Sequence, residues 1–229
     1  METLQNGITL DIAPGTFPLS TDSMLLGRFV TLKRNARVLD LGSGCGTLGA
    51  ILCAKDETCV VTGMEIDPTA HDCALENIDR NDLQSRLFSI CADIRDADRL
   101  LSAGSFDACV SNPPYYRGGP QSKQTPTARR NDLCQTQDLF AAAAWALRWG
   151  GDFFLVHKPE YLGQLCGCAV QNGLEPKKLC LVRHHPGKEV SLILLQCRKG
   201  GKPGLKIEEI SLFDETLSPT KAYREAYHL

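Results

Sequence analysis

The chain has 229 residues, 43% hydrophobic and 23% charged, with a formal net charge of −2. That length suits one large domain, and so apolar and nearly neutral a chain is not a disordered one. No apolar run approaches the roughly 18 residues a membrane helix needs, Met1 to Leu10 does not read as a signal peptide, and total charge does not single out nucleic acid as a partner.

Along the chain, short apolar runs alternate with helix-like segments. Strands are predicted at Val38–Leu41, Cys59–Met64, Leu87–Ala92, Phe106–Ser111, Gly151–His157, Leu179–Val182 and Val190–Cys197. Helices are predicted over 46–55, 68–81, 133–148 and 160–172, with Pro68 in a first turn and Gly150-Gly151 ending the third. This alternation implies an α/β fold, a doubly wound sheet of seven strands, mostly parallel. The loop from His184 to Glu189 is too short for a crossover helix, so the last strand is expected to be antiparallel. One domain is expected over 1–229: an N-terminal cap over 1–37, a core over 38–198, and a basic segment and tail over 199–229. That tail holds one strand-like piece, Ile207–Phe213, and then a helical end.

The 11 cysteines are odd in number and irregular in spacing. With no secretory signal they read as reduced thiols of a cytoplasmic protein, and most sit in apolar runs as small core residues. Cys166-Gly167-Cys168 is a close pair but lacks a second pair at finger-like spacing, so no metal is expected.

The block Asp40-Leu41-Gly42-Ser43-Gly44-Cys45-Gly46 follows the first core strand and opens a helix. Gly42, Gly44 and Gly46 permit a tight turn and close approach of a ligand to backbone. A glycine loop alone is equally compatible with a dinucleotide. The acids narrow the choice. Asp40 ends the first strand, where it would repel a pyrophosphate but accept from an amino group. Glu65 closes the second strand and suits ribose hydroxyls. Asp93 follows the third and can accept from an adenine amino group. Three acids at consecutive strand ends line the carboxyl edge, where open sheets bind ligands, and an amino acid joined to adenosine satisfies all three.

The fourth strand ends Asn112-Pro113-Pro114-Tyr115. The prolines stiffen the backbone and remove N–H donors. The Asn112 amide oxygen and the Pro113 carbonyl could accept both hydrogens of a planar NH₂ group, with Tyr115 stacking on the ring that bears it. Such a site suits methylation of an exocyclic amine by positioning alone, without strong base or metal.

These motifs resemble the class I S-adenosylmethionine-dependent methyltransferases of the Asn-Pro-Pro-Tyr group, with their Rossmann-like sheet. Within that group the chain is similar to the bacterial tRNA (valine) adenine-N6 methyltransferase family. Ser20 to Gly27, the glycine loop, Asn112 to Tyr116, His157 to Glu160 and Lys199 to Gly204 carry the likeness over nearly the whole chain. The resemblance implies S-adenosylmethionine as cofactor, with Thr21 near its amino acid end and Ile66 and Ile94 beside Glu65 and Asp93. It also implies a substrate entrance bordered by the loop after Tyr116. At 128–132 the chain reads Ala-Arg-Arg-Asn-Asp, where that pattern has a histidine and a glutamate after Ala-Arg.

Charge is divided unevenly. Residues 115–130 hold Arg117, Lys123, Arg129 and Arg130 and no acid, a charge of +4. Residues 177–206 carry +7, leaving −13 on the remainder. Both basic segments are expected near the substrate face, with Lys199 and Lys202 among the contacts, and make RNA, in particular tRNA, the expected partner. A paired adenine cannot reach such a site, so the base must be unpaired or flipped out, stacking on Tyr115 with Tyr116 or Phe17 in support. A glutamine-modifying methyltransferase shares the Asn-Pro-Pro-Tyr logic. It usually has a helical domain before the core, whereas only 37 residues precede the first core strand here. A non-catalytic RNA-binding protein would not need Asp40, Glu65 and Asn112 intact, and a dehydrogenase is disfavoured by Asp40.

Overall fold

The computed structural model describes residues 2–3, 7–13, 20–114 and 136–227. Strands β1 (Glu2–Thr3) and β2 (Thr9–Leu10) form a small antiparallel pair. Helix α1 (Thr21–Phe29) leads into β3 (Arg37–Leu41), α2 (Thr47–Lys55), β4 (Val60–Glu65), α3 (Pro68–Arg80) and β5 (Leu87–Cys91). A short α4 (Ala97–Leu100), β6 (Phe106–Ser111), α5 (Thr136–Ala146), β7 (Leu147–His157) and α6 (Leu162–Gln171) follow. The chain then runs through β8 (Leu174–Arg183), β9 (Val190–Lys199), β10 (Lys206–Ser211) and α7 (Lys221–Tyr227).

Capping explains where several helices start. Ser20 is extended and its hydroxyl accepts from Ser23 N, which opens α1. Asp67 accepts from Thr69 N at 2.9 Å, and Pro68 occupies the first turn of α3 as its sequence suggested.

The main sheet has the order β10-β8-β9-β7-β6-β3-β4-β5. From β7 to β5 every pairing is parallel, whereas β9 is antiparallel to both β7 and β8. The expected doubly wound, mostly parallel sheet is therefore present, with β9 reversed. It has eight strands rather than seven, because Lys206–Ser211 pairs with β8 in parallel as a new edge. Alternate residues of the central strands feed two cores. Phe154 and Val156 face a layer with α1 and α2, whereas Phe153 and Leu155 face α5 and α6.

One helix stop is corrected. Helix α5 ends at Ala146, and Gly150-Gly151 lies inside β7, where the β6 pairing slips between Leu147 and Asp152. Gly150 has φ 77°, so the pair forms a bulge rather than a cap. Steric crowding explains the small residue beside it, since a Cβ on Gly151 would stand 2.9 Å from the Asp107 carbonyl oxygen. Helix α6 begins after a single 3₁₀ turn, Pro159–Tyr161.

The strand order reverses at β3. The chain moves outward through β4 and β5, then returns to place β6 on the other side of β3. Open α/β sheets bind ligands at such a reversal, outside the carboxyl ends of the strands, here those of β3 and β6. Ser111 Oγ donates to Leu41 O at 2.7 Å and ties the two strand ends together.

Candidate active site

The loop after β3 forms the first wall. Gly42, Gly44 and Gly46 have φ of 75°, 55° and 79°, conformations open to glycine at little cost. A Cβ on Gly42 or Gly44 would meet nothing within 4 Å, so both border open space. Gly46 differs: a Cβ there would touch Ala74 at 3.4 Å, so it keeps α2 close to α3. Gly42 N and Ser43 N both donate to Met64 O, at 2.9 and 3.1 Å, which sews the loop to β4.

Glu65 forms the second wall. Its Oε2 accepts from Gly44 N at 2.7 Å and its Oε1 from Asp67 N at 2.9 Å. Each oxygen keeps a lone-pair site that a hydroxyl could use. Ile66, next in sequence, is 39% exposed and offers an apolar face beside that acid. Ile94, next to Asp93, is 8% exposed and packs in the second core.

Asp40 lies beneath the loop and is 1% exposed. Burial, and secondarily the Glu65 charge, push its carboxyl up to about 7, against a stabilising N–H from Gly49. Its Oδ2 and the buried Ser43 Oγ have no hydrogen-bond partner among the described residues. Two unsatisfied buried acceptors next to an open glycine cradle fit an amino-acid-bearing nucleoside.

Asp93 is already engaged. It caps the 3₁₀ turn Ile94–Asp96, Oδ1 accepting from Arg95 N and Oδ2 from Arg95 Nε at 2.9 Å and Nη2 at 2.5 Å. Burial raises its pKa, but these Arg95 bonds outweigh burial and hold it below the ordinary value. An adenine amino group would share this carboxylate with Arg95. Thr21 is engaged too, through a 2.7 Å hydrogen bond between its hydroxyl and that of Tyr227.

Asn112 follows the end of β6, the neighbour of β3 whose end carries the glycine loop, and is half-buried like Pro113, with Pro114 exposed. Its Nδ2 donates to Ser23 Oγ at 2.9 Å. Ser23 lies within the Ser20–Gly27 stretch, but its role was not anticipated. The available signal was a second serine three residues after Ser20, in the stretch that bears the likeness. Tyr115, Tyr116, Arg117, Lys123, Arg129, Arg130 and Phe17 lie outside the described residues. His157 ends β7 at the same edge, packed against Tyr161 with ring centroids 4.7 Å apart. Burial lowers its pKa, which favours the neutral imidazole.

The expected substrate-side placement of Lys199 and Lys202 is corrected by strand direction. Ile193 pairs with His157 at the carboxyl edge, and β9 then runs away from it to Lys199. Six residues of strand put Lys199 about 20 Å from that edge. There Lys199 Nζ donates to Leu147 O at 2.7 Å, and Lys177 Nζ donates to Lys202 O at 2.8 Å. Several other charges of this segment are paired within the sheet, Lys178 with Glu208, Arg183 with Glu209 and Arg198 with Asp152. Only its 184–189 turn, with Lys188 and both histidines, lies at the carboxyl edge. Among the described residues no three His, Cys, Asp or Glu side chains group as metal ligands, and no helix is long and apolar enough to cross a membrane.

Residues 18–164 match the family model described as methyltransferase small domain. A Bacteroides fragilis protein named tRNA1(Val) (adenine(37)-N6)-methyltransferase is 34% identical over 172 residues, covering 74% of this chain and 72% of its own. A Photobacterium profundum protein of the same name is 31% identical, covering 78% and 76%. Among solved structures, a predicted O-methyltransferase from Agrobacterium tumefaciens superposes with a TM-score of 0.77 at 20% identity, covering 91% of this chain and 96% of that one. Geranyl diphosphate C-methyltransferase from Streptomyces coelicolor, solved with S-adenosyl-L-homocysteine, gives 0.60 at 12% identity, covering 77% and 76%. At such identities these two likenesses speak for the fold alone.

Proposed function

The chain belongs to the methyltransferase small domain family, and from that we propose that it transfers the methyl group of S-adenosylmethionine to the N6 amine of an adenine in tRNA. The observation that carries this reading is Asn112, held by Ser23 at the end of β6, the strand beside the one that leads into the glycine cradle.

The cofactor supplies an electrophilic methyl on a sulfonium. Gly42 and Gly44 would admit its amino acid part, with Asp40 Oδ2 and Ser43 Oγ as acceptors. Glu65 would take the ribose hydroxyls, and Ile66 and Asp93 would meet the adenine. Thr21 would stand near the amino acid end.

On the substrate side, Nδ2 of Asn112 is taken by Ser23. The oxygen on the other arm of the amide is then the atom that accepts a hydrogen from the target amine. The Pro113 carbonyl, with no N–H of its own residue to compete, accepts the second. Holding both hydrogens would turn the nitrogen lone pair out of ring conjugation and toward the methyl group, so positioning supplies the acceleration. The N–C bond would form as the methyl–sulfur bond breaks, the sulfur would leave as a neutral thioether, and the surplus amine proton would pass to solvent. Pro114 keeps the backbone stiff. The adenine must be unpaired or flipped, stacking on Tyr115 with Tyr116 beside it. Arg117, Lys123, Arg129 and Arg130 would hold the phosphates. The same reading calls for no metal, and with it we propose that the protein works in the cytoplasm with its tRNA, the whole chain acting as one domain.

The relatives' names specify adenine 37 of tRNA1(Val), which makes valine tRNA lacking that modification the first substrate to try. Incubation with methyl-labelled cofactor and this tRNA, followed by nucleoside mass spectrometry, should yield N6-methyladenosine. Label in a protein glutamine and none in tRNA would overturn the reading in favour of the glutamine enzyme. Raising salt should weaken tRNA binding and leave free cofactor affinity nearly unchanged.

A further inference from the structure

An asparagine amide has two unlike arms. Amine methylation uses the oxygen, and a rotation of about 180° about the last side-chain torsion puts a donor where the acceptor is needed. Such a flip leaves the shape of the side chain almost unchanged, so packing alone does not prevent it. A hydrogen bond to one arm from a partner held as an acceptor does. Building on the function proposed above, we propose that Ser23 is a positioning residue that fixes the Asn112 amide with its oxygen turned away from α1 and toward the substrate amine.

The supporting geometry is local and well anchored. Ser23 Oγ accepts from Asn112 Nδ2 at 2.9 Å, and Ser23 is 7% exposed, so water competes poorly for the bond. Ser20 Oγ lies 3.4 Å from Ser23 Oγ, near enough to receive the Ser23 proton and leave a lone pair for Asn112.

Helix α1 is itself held at both ends. Tyr227 bonds Thr21 at its start, and Glu225 pairs with Arg28 at 2.6 Å. Lys55 Nζ donates to three carbonyls at its end, those of Gly27, Arg28 and Val30. Along its side Gly27 lies so close to α2 that a Cβ there would stand 2.4 Å from Ile51 Cγ2. The serine is thus a fixed point against which the amide is set.

The test uses the full-length protein with Ser23→Ala, Ser23→Thr, Asn112→Asp and the Ser23→Ala/Asn112→Asp double variant. Ser23→Ala should lower kcat about 5- to 10-fold, the worth of one neutral hydrogen bond. Cofactor Kd and tRNA KM should stay within about twofold. Ser23→Thr retains the hydroxyl and should recover most of the loss. A carboxylate has two equivalent oxygens and no orientation to fix, so in the Asn112→Asp background the Ser23→Ala loss should nearly vanish. Equal loss in both backgrounds, loss of cofactor affinity in step with kcat, or no change in kcat would each overturn the proposal.

The Asn112 side-chain NH₂ resonance, assigned by its disappearance in Asn112→Ala, gives a readout free of turnover. It should be shifted and slow to exchange in the wild type and lose both properties in Ser23→Ala. An identical signal in the two proteins overturns the proposal even where the Asp background is inactive. A wild type that methylates no tRNA yet shows this difference would sink the substrate reading and leave Ser23's role standing.

Discussion

Gly44 N donates to Glu65 Oε2 at 2.7 Å, joining the glycine loop after β3 to the acid that closes β4. The second Glu65 oxygen takes the Asp67 N–H at 2.9 Å, so one carboxylate ties two turns together. The cradle and its acid therefore act as one unit, and disturbing either end should disturb both.

Glu65→Gln tests that coupling. An amide has one acceptor arm, so its NH₂ must face either Gly44 N–H or Asp67 N–H, donor against donor. The charge-assisted bond lost is worth roughly 1.5–3 kcal/mol, or about 10- to 100-fold in cofactor affinity. Calorimetric titration with cofactor should show that weakening, while kcat at saturating cofactor changes little. Wild-type affinity in the variant would break the link.

Gly63→Ala reaches the loop from beneath. Gly63 pairs with Asp40 in the sheet, and a Cβ there would stand 2.5 Å from Ser43 Oγ and 2.7 Å from Ser43 Cβ. The loop must shift, at a cost of about 1–3 kcal/mol in stability. Cofactor Kd should rise more than tenfold, since Ser43 sits inside the cradle. Equilibrium urea melts and cofactor titration measure the two effects separately.

Asp40 makes stability pH-dependent in a stated direction. Its folded pKa of about 7 lies above its ordinary 3.8, so the folded state favours the protonated form. That contribution is complete below the unfolded pKa and is lost as pH rises through 7. Wild-type stability in the cofactor-free protein should fall between about pH 4 and pH 7 and level off above. Asp40→Asn, isosteric and uncharged, should flatten the profile and be more stable at pH 8, by at most on the order of 4 kcal/mol. Parallel profiles for the two proteins would contradict the assignment.

Lys55→Met addresses the far end of α1. The ammonium donates to Gly27 O, Arg28 O and Val30 O at 2.8, 2.9 and 2.6 Å, where the helix dipole is negative. Burial depresses its pKa, so the charge is held at some cost and repaid by those carbonyls. Removing it leaves them unsatisfied and should destabilise the protein by about 3 kcal/mol. Since α1 carries Ser23, kcat should fall as well. A denaturation midpoint equal to that of the wild type would refute the capping role.

The two ends of β9 make opposite predictions for RNA. Lys188, in the 184–189 turn at the carboxyl edge, should raise tRNA KM several-fold when changed to alanine and reduce the salt slope by about one. Lys202→Ala, beyond the opposite end of the strand, should leave both within experimental scatter.

The sequence by itself determined what depends on neighbours along the chain. Gly42 to Gly46 bend because of their own φ preferences. Asp67 and Pro68 start α3 through a local cap, and Asn112-Pro113-Pro114 follows β6 as a stiff acceptor turn. The unbroken apolar run Phe153 to Val156 declared a strand buried on both faces, and the helices between strands declared the winding. Those features place the cradle, Glu65 and Asn112 at strand ends.

Only the tertiary structure decided what depends on partners distant in sequence. Ser23 and Asn112 are 89 residues apart, and Thr21 and Tyr227 are 206 apart. Nothing in either segment encodes the other. The bulge at Gly150-Gly151 and the eighth strand likewise arise from pairing with β6 and β8. Lys188 and Lys199 belong to one basic stretch in the sequence, yet β9 lies between them and spans about 33 Å. Strand direction therefore sends them to opposite edges of the sheet, and a count of charges along the chain cannot register that separation.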